Sequence, residues 1–368
     1  MKKTKLFAVL LCAALSYSFL ACSNSSGGSS GGKKESKPET SSEGSGSGSG
    51  SGNGGGKVIT PKLPVALDPG TNGTAGTDGT YVLFGEWPQS LLTGKVTVDE
   101  TKSKSVGMFT YYKGSDNAWY AKIPANPKDA NSFDTYYKVE PVKWRVLNPT
   151  PAENEKKILL AESILINCPY YDYIDTKRKI DDDVIYPNNY EHSRVRAFLN
   201  GLSYLIKESD QAAQEENPEF KNKGFLYTAF TEAERAAIAD TSVVNDARST
   251  NPDENAAMWN SGDNRYASDT PTSDKIFLLS LQEATTNKYG FDVCNLSNQP
   301  RILKVTDFAK AMGVYYTPNE FYGGYWWLRS PYYGNDYEAH YVNDSAKANP
   351  CIGVQETHVG VVPALCLN

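Results

Sequence analysis

Gly323-Gly324-Tyr325-Trp326-Trp327-Leu328-Arg329-Ser330-Pro331-Tyr332-Tyr333 joins a short aromatic strand to a polar, tyrosine-rich continuation. Residues 324–328 read as a strand. The paired Trp326 and Trp327 read as core side chains, because large aromatics dominate core energetics. Arg329 comes where that strand ends, with the role of anchoring a loop by bonding carbonyls or a carboxylate. On both sides the run is unusual: residues 315–341 hold eight of the 24 tyrosines, with Phe321 and few aliphatic side chains. Tyrosine gives wide contact area at low entropy cost, and Asn and Ser give adaptable hydrogen bonds, so this is the composition of a recognition surface.

Working outward, strands are expected at 80–86, 108–112, 119–123, 137–147, 157–166, 275–280, 324–328, 338–342 and 359–367. In 137–147, Val139, Val142, Trp144 and Val146 nearly alternate, as on a half-buried strand. Four short helices are expected. Residues 194–206 place Val195, Phe198, Leu199 and Leu202 on one face. Residues 232–239 follow a capping box of Thr231 and Glu234, and 281–287 follow a second one of Ser280 and Glu283. Thr306 caps 307–312, which Gly313 stops. Strands around a few short helices give an α+β class. The polar stretch 240–273 reads as a long surface loop or insertion, and Asp181-Asp182-Asp183 as a solvated turn. No repeat of 20–50 residues is visible, which argues against a solenoid or propeller.

The N-terminus addresses the chain elsewhere. Lys2, Lys3 and Lys5 precede an apolar run ending at Ala21, a leader of residues 1–21. Phe19-Leu20-Ala21-Cys22 resembles a bacterial lipobox, which implies cleavage before Cys22 and lipidation of its thiol. Residues 22–78 form the tether. Of the 35 residues from 23 to 57, 12 are Gly and 12 are Ser, with no large apolar side chain. Such a segment cannot offset its ordering entropy, so disorder is expected. One globular domain, 79–368, follows.

Without the leader the chain carries 34 basic and 43 acidic side chains, a net charge of −9. That disfavours nucleic acid and anionic lipid as partners. Cys168, Cys294, Cys351 and Cys366 lack metal-ligand spacing and read as buried or paired. His192, beside Glu191 and Arg194, reads as a capping or solvated residue, and His340 and His358 have no second metal ligand at short spacing. Asp253, Glu254 and Asp263 lack the alternating spacing of a calcium loop. No catalytic residue, cofactor or metal site is assigned.

Several words together resemble a family: Tyr81-Val82-Leu83-Phe84-Gly85-Glu86-Trp87-Pro88-Gln89, Val142-Lys143-Trp144-Arg145-Val146-Leu147, Asp274-Lys275-Ile276-Phe277-Leu278-Leu279-Ser280, Trp326-Trp327-Leu328-Arg329-Ser330-Pro331 and Gly360-Val361-Val362-Pro363-Ala364-Leu365. Their order is similar to that of domain-of-unknown-function family 6273, found on exported bacterial lipoproteins, including those of treponemes. The resemblance covers nearly all of 79–368. Val362 stands where the family more often has Arg, so no role of that arginine transfers. The C-terminal layout is similar to C-type-lectin-like folds: a tryptophan strand, a polar stretch, a closing strand. In some relatives of that fold a retroelement substituting at adenines diversifies the ligand surface, and 332–359 would suit such a surface.

The expectation is therefore a protein lipid-anchored to the cell envelope, at the outer membrane or cell surface. It binds a glycan or protein ligand through Tyr332, Tyr333, Asn335, Asp336, Tyr337, His340, Asn343, Ser345 and Asn349. A hydrolase acting on envelope polymers, or a structural envelope protein without ligand, are the alternatives.

Overall fold

The twelve-residue strand Thr135–Val146 organises the large sheet. Its alternation is visible in burial: Val142, Trp144 and Val146 are buried and Val139 half-buried. Along one edge it takes Tyr81–Leu91, antiparallel. Along the other edge Trp119–Ile123 pairs with its start and Ile158–Ala161 with its end. From there the sheet runs one way through Phe109–Gly114 to Val98–Val106, and the other way through Ala364–Cys366 to Ile276–Phe277. The computed structural model describes residues 59–67, 81–129, 132–153, 155–208, 213–246, 250, 266–268, 270–294, 296–348 and 350–368. The leader, Cys22, most of the tether, Asn349, Asp253, Glu254 and Asp263 lie outside them.

Within the stretch read as tether, Val65–Leu67 pairs with Tyr81–Leu91, and the Lys62 ammonium meets Glu234 at 2.6 Å. The described residues form one compact unit.

A second sheet of five strands has the order Cys351–Gly353, Glu338–Val342, Trp326–Pro331, Gly360–Val361, Ile166–Asn167. Its neighbours are antiparallel except Trp326 and Gly360, which pair in parallel. Two segments pass between the sheets. Ile158–Ala161 belongs to the large one and Ile166–Asn167 to the small one. Gly360–Val361 and Ala364–Cys366 divide in the same way. The uninterrupted strands expected at 157–166 and 359–367 are each broken for this reason: a chain that changes sheet must turn a corner.

Antiparallel strands with a few short helices agree with the expected α+β class. Ser193 caps Arg194–Asn200 by accepting from the Arg196 amide. That helix stops six residues earlier than the apolar spacing predicts, because Gly201 enters the left-handed region at φ 65°. Tyr204–Ile206 then pairs with Glu215–Asn217 as a hairpin. All three expected caps form: Thr231 with Glu234, Ser280 with Glu283, and Thr306 on the Ala309 amide. Asp181 takes φ 53° in the turn between Arg178–Ile180 and Asp183–Ile185. The polar 240–273 stretch begins and ends in paired strands, Thr241–Val243 and Thr272–Asp274. Helix Gly224–Ala229 and strand Val98–Val106 were not expected.

Four tryptophans lie fully inside: Trp87, Trp144, Trp326 and Trp327. Each indole N–H donates to a backbone carbonyl, of Leu165 at 3.1 Å, Phe84 at 2.8 Å, Arg301 at 3.3 Å and Cys168 at 2.9 Å respectively. A buried indole without such an acceptor would carry its desolvation cost uncompensated, so these bonds fix each ring's orientation as well as its place.

Much of the chain is irregular, so many carbonyls find no ladder partner. Buried arginines satisfy them. Arg301 donates to the carbonyls of Ala346, Ala284, Asp292, Val293 and Leu296. Arg178 donates to those of His192, Leu205 and Tyr186. The Phe84-Gly85-Glu86-Trp87-Pro88-Gln89 word has a similar logic. Gly85 sits at φ 68° where the ladder slips, and a Cβ there would lie 2.6 Å from the Phe230 ring. Pro88 has no amide to give, and the Gln89 side chain donates to the carbonyls of Glu140 and Pro141 at 3.0 Å each.

Candidate functional site

The tryptophan strand carries its own supports. Trp326, Trp327 and Leu328 are wholly buried, and Arg329 is 3% exposed. Arg329 clasps both carboxylate oxygens of Glu283 and donates from Nε to the Val244 carbonyl at 3.0 Å and from Nη1 to the Leu278 carbonyl at 2.8 Å. Burial alone would raise the Glu283 carboxyl, but the Arg329 charge and its hydrogen bonds hold it below the ordinary carboxylate range. Ser330 Oγ donates to the Thr250 carbonyl and accepts from the Leu281 amide. Arg329 is thus a clamp between the small sheet and the 278–283 turn, in the loop-anchoring role its position suggested.

Of the nine residues expected to bind ligand, the structure describes eight, and they differ in what they do. His340 is buried, with its ring edge-on to Tyr332 at 5.9 Å and Nδ1 3.9 Å from the Cys351 sulfur. Asn335, Asn343 and Ser345 make turns. Asn335 Oδ1 accepts from the amides of Tyr337 and Glu338 at 3.1 and 2.9 Å, and its Nδ2 donates to Glu338 at 2.6 Å. Asn343 Oδ1 accepts from the Lys347 amide and from the Ser345 hydroxyl, both at 2.9 Å. Asp336 pairs with Lys177 at 3.1 Å. Tyr332 and Tyr333 pack edge to face at 4.8 Å and are half-buried, and Tyr337 is 42% exposed. Asn349 lies outside the described residues.

What holds this stretch was not visible beforehand. Asn188, fully buried, donates its amide group to the carbonyls of Tyr332, Asn335 and Glu338 at 3.4, 3.0 and 2.9 Å. Its partners lie 144 to 150 residues downstream. No local pattern marks such an asparagine.

Four exposed aromatics gather just before the tryptophan strand. Tyr315, Tyr316, Phe321 and Tyr322 are 43%, 39%, 65% and 39% exposed. Tyr315 packs on Tyr325 at 4.3 Å, Tyr325 on Tyr341 at 5.0 Å, and His358 lies 6.1 Å from Tyr325. The His358 imidazole meets Glu356 at 3.1 Å. Behind Tyr316 and Tyr322 lies a cleft of about 270 Å³, lined also by Lys304, Lys310, Thr317, Asn319 and Glu320. Its wall is held from below. The Lys304 ammonium donates to the carbonyls of Asn319, Glu320 and Tyr322 at 3.5, 2.6 and 2.8 Å. Gly323 runs against the Leu303 carbonyl, where a Cβ would come to 2.6 Å. The Thr317 hydroxyl bonds the Asp344 carboxylate, and the Gly323 amide bonds the Asp344 carbonyl at 2.8 Å.

Titratable clusters elsewhere are committed internally. Arg194 binds both Asp172 and Glu219, and Tyr204 donates to Asp172 at 2.8 Å. Burial lowers His192, against the opposing charge of Glu191 at 3.8 Å. Burial pushes the thiols of Cys168 and Cys351 up to about 12, the reverse of a reactive thiolate. Among the described residues no group of three or more His, Cys, Asp or Glu is placed to hold a metal ion, and no helix is long and apolar enough to cross a membrane.

Residues 154–368 match the family described as Domain of unknown function (DUF6273), and the chain belongs to it. The match begins after the long strand Thr135–Val146, so it takes in the whole small sheet and the aromatic cleft. No curated protein and no solved structure matches the chain.

Proposed function

We propose that this member of the DUF6273 family is a ligand-binding domain of an exported protein, lipid-anchored through Cys22 and carried off the envelope surface by its Gly/Ser-rich stretch. The observation that carries the reading is the exposed aromatic group Tyr315, Tyr316, Phe321 and Tyr322, four large side chains within eight residues on a braced loop. Exposed aromatic surface is costly to leave in water and suits reversible contact with a partner. Bracing by Lys304, Gly323 and Asp344 means that little ordering entropy is lost on binding.

Other support comes from the small sheet. The tryptophan strand, Glu338–Val342 and the first part of the closing segment, Gly360–Val361, share one sheet, the part of the layout on which the C-type-lectin-like reading of the fold rests. The binding surface proposed here extends the 332–349 set toward the N-terminus. Of that set, Asn335, Asn343 and Ser345 shape turns and Tyr337 stays exposed.

The test is a binding screen of the full chain against a glycan array and extracellular matrix proteins, beside a triple variant Tyr316→Ala, Phe321→Ala, Tyr322→Ala. Binding by the parent and its loss in a variant of unchanged thermal stability supports the reading. Binding that survives the three replacements refutes it.

A further inference from the structure

The cleft behind Tyr316 and Tyr322 has a chemistry that selects among ligands. Its size, about 270 Å³, lies at the lower edge of the ~300–1,000 Å³ of ligand pockets. It has room for one small ring, not a bulky group. Tyr316, Tyr322, Val305 and Pro318 give it apolar surface, and Thr317, Asn319, Glu320 and two lysines give it polar groups.

Lys304 is fully occupied and Lys310 in part. An ammonium has three N–H donors, and Lys304 directs them to three carbonyls of the cleft's own loop. Lys310 bonds the Asp307 carboxylate at 2.9 Å, and its charge lies 5.3 Å from the centre of the Tyr316 ring. An anionic ligand would have to draw Lys304 from its carbonyls or share Lys310 with Asp307, and would meet the Glu320 carboxylate. Drawing off Lys304 would also release the wall. A cation would find Glu320 but would lie against two ammonium groups. The lining therefore disfavours charge of either sign.

A neutral ring with one apolar face and several hydroxyls fits each part. Tyrosine rings present flat apolar faces for ring C–H groups to lie on, with a hydroxyl at the rim. Glu320 offers acceptors for hydroxyl hydrogens, and Asn319 Oδ1, which accepts from the Phe321 amide at 2.9 Å, has a second lone pair to offer. The loop is already held in shape, so a weak ligand loses little affinity to ordering it.

We propose that the cleft lined by Tyr316, Tyr322, Asn319 and Glu320 binds a neutral pyranose unit, as a free sugar or as the terminal residue of a glycan. This rests on the recognition reading above and narrows it to one ligand class and one subsite.

The experiment titrates the full chain with glucose, galactose, mannose and N-acetylglucosamine, with their short oligomers, and with uronic and sialic acids as charged counterparts. Ring-proton NMR shifts and calorimetry are read for the parent, for Tyr316→Ala, for Tyr322→Ala and for Phe133→Ala, an exposed aromatic distant in sequence from the cleft. The expected result is saturable binding of a neutral sugar, unchanged between low and high salt. Affinity should fall about tenfold or more in each cleft variant, as for an anchoring aromatic, and stay unchanged in Phe133→Ala. Preference for the acidic sugars, or affinity that collapses with salt, overturns the proposal. Neutral-sugar binding indifferent to Tyr316 and Tyr322 also overturns it. Binding of a matrix protein but of no sugar overturns it while leaving the recognition reading standing. No binding to any probe counts against both.

Discussion

Replacing Arg329 by methionine removes a charge but keeps most of the side-chain length. The guanidinium serves one carboxylate and two carbonyls in a nearly closed site. Removing one partner of a buried ion pair costs roughly 3–5 kcal/mol, because the other is left uncompensated. The orphaned Val244 and Leu278 carbonyls add to that. Two features pull the other way: the Glu283 side chain retains 25% exposure, and the Ser280 amide still donates to it at 2.8 Å. A net loss of about 3–4 kcal/mol is therefore expected, read by urea unfolding followed by circular dichroism. The double variant with Glu283→Gln should cost less than the two single changes together, by about 0.5–3 kcal/mol of coupling.

The pH dependence has a definite sign. The Glu283 carboxyl is depressed in the folded state, so the unfolded chain binds its proton more readily. The pair's contribution is complete above the ordinary Glu value of ~4.3 and falls away as the pH drops through the lower folded value. The stability gap between the parent and Glu283→Gln should narrow below about pH 4. If Arg329→Met costs under about 1 kcal/mol at neutral pH while abolishing ligand binding, the clamp is wrong and Arg329 is a contact residue.

Other expectations follow from the same structure. Trp327→Ala should cost about 3–5 kcal/mol as a core truncation, whereas Tyr337→Ala should stay within about 0.5 kcal/mol; comparable losses in chemical denaturation would put Tyr337 in the core. Gly85→Ala should destabilise by at least ~1–3 kcal/mol through its positive φ alone, and a thermal midpoint equal to the parent's would refute the bulge. Asn188→Ala should raise amide hydrogen exchange across 332–338 and leave exchange in 315–323 unchanged; unchanged rates in 332–338 would mean that its three bonds do not hold that stretch. Cys22→Ser should release the protein from the membrane fraction, and retention there would remove the lipid anchor from the account.

Legibility followed the range of the forces involved. The capping boxes at Thr231 and Ser280 were readable because both partners lie within three residues of each other. The strand 135–146 was readable because its alternation records burial residue by residue. Strand ends were less so. In 157–166 and 359–367 both halves are apolar, which reads as one strand, and only Glu162-Ser163 and Pro363 mark where the chain changes sheet.

The candidate site shows the same limit more sharply. A tyrosine-, asparagine- and serine-rich composition correctly describes a segment that reaches the surface, but composition does not say which of its polar groups are already used. Asn335 and Asn343 face turns because each can accept from amides two to four residues on, a local option that asparagine takes readily. His340 is buried because Glu338–Val342 is an inner strand covered on both faces, with Ala339, Tyr341 and Val342 buried too, while exposed Tyr337 precedes it. Phe321 and Tyr322 stay exposed where Lys304 takes up the carbonyls of Asn319, Glu320 and Tyr322 and leaves the side chains outside. A lysine that by charge alone would suggest an anion site is instead the strut that shapes a neutral one. That inversion follows only from where its three donors go, which is why the cleft's selectivity had to wait for the structure.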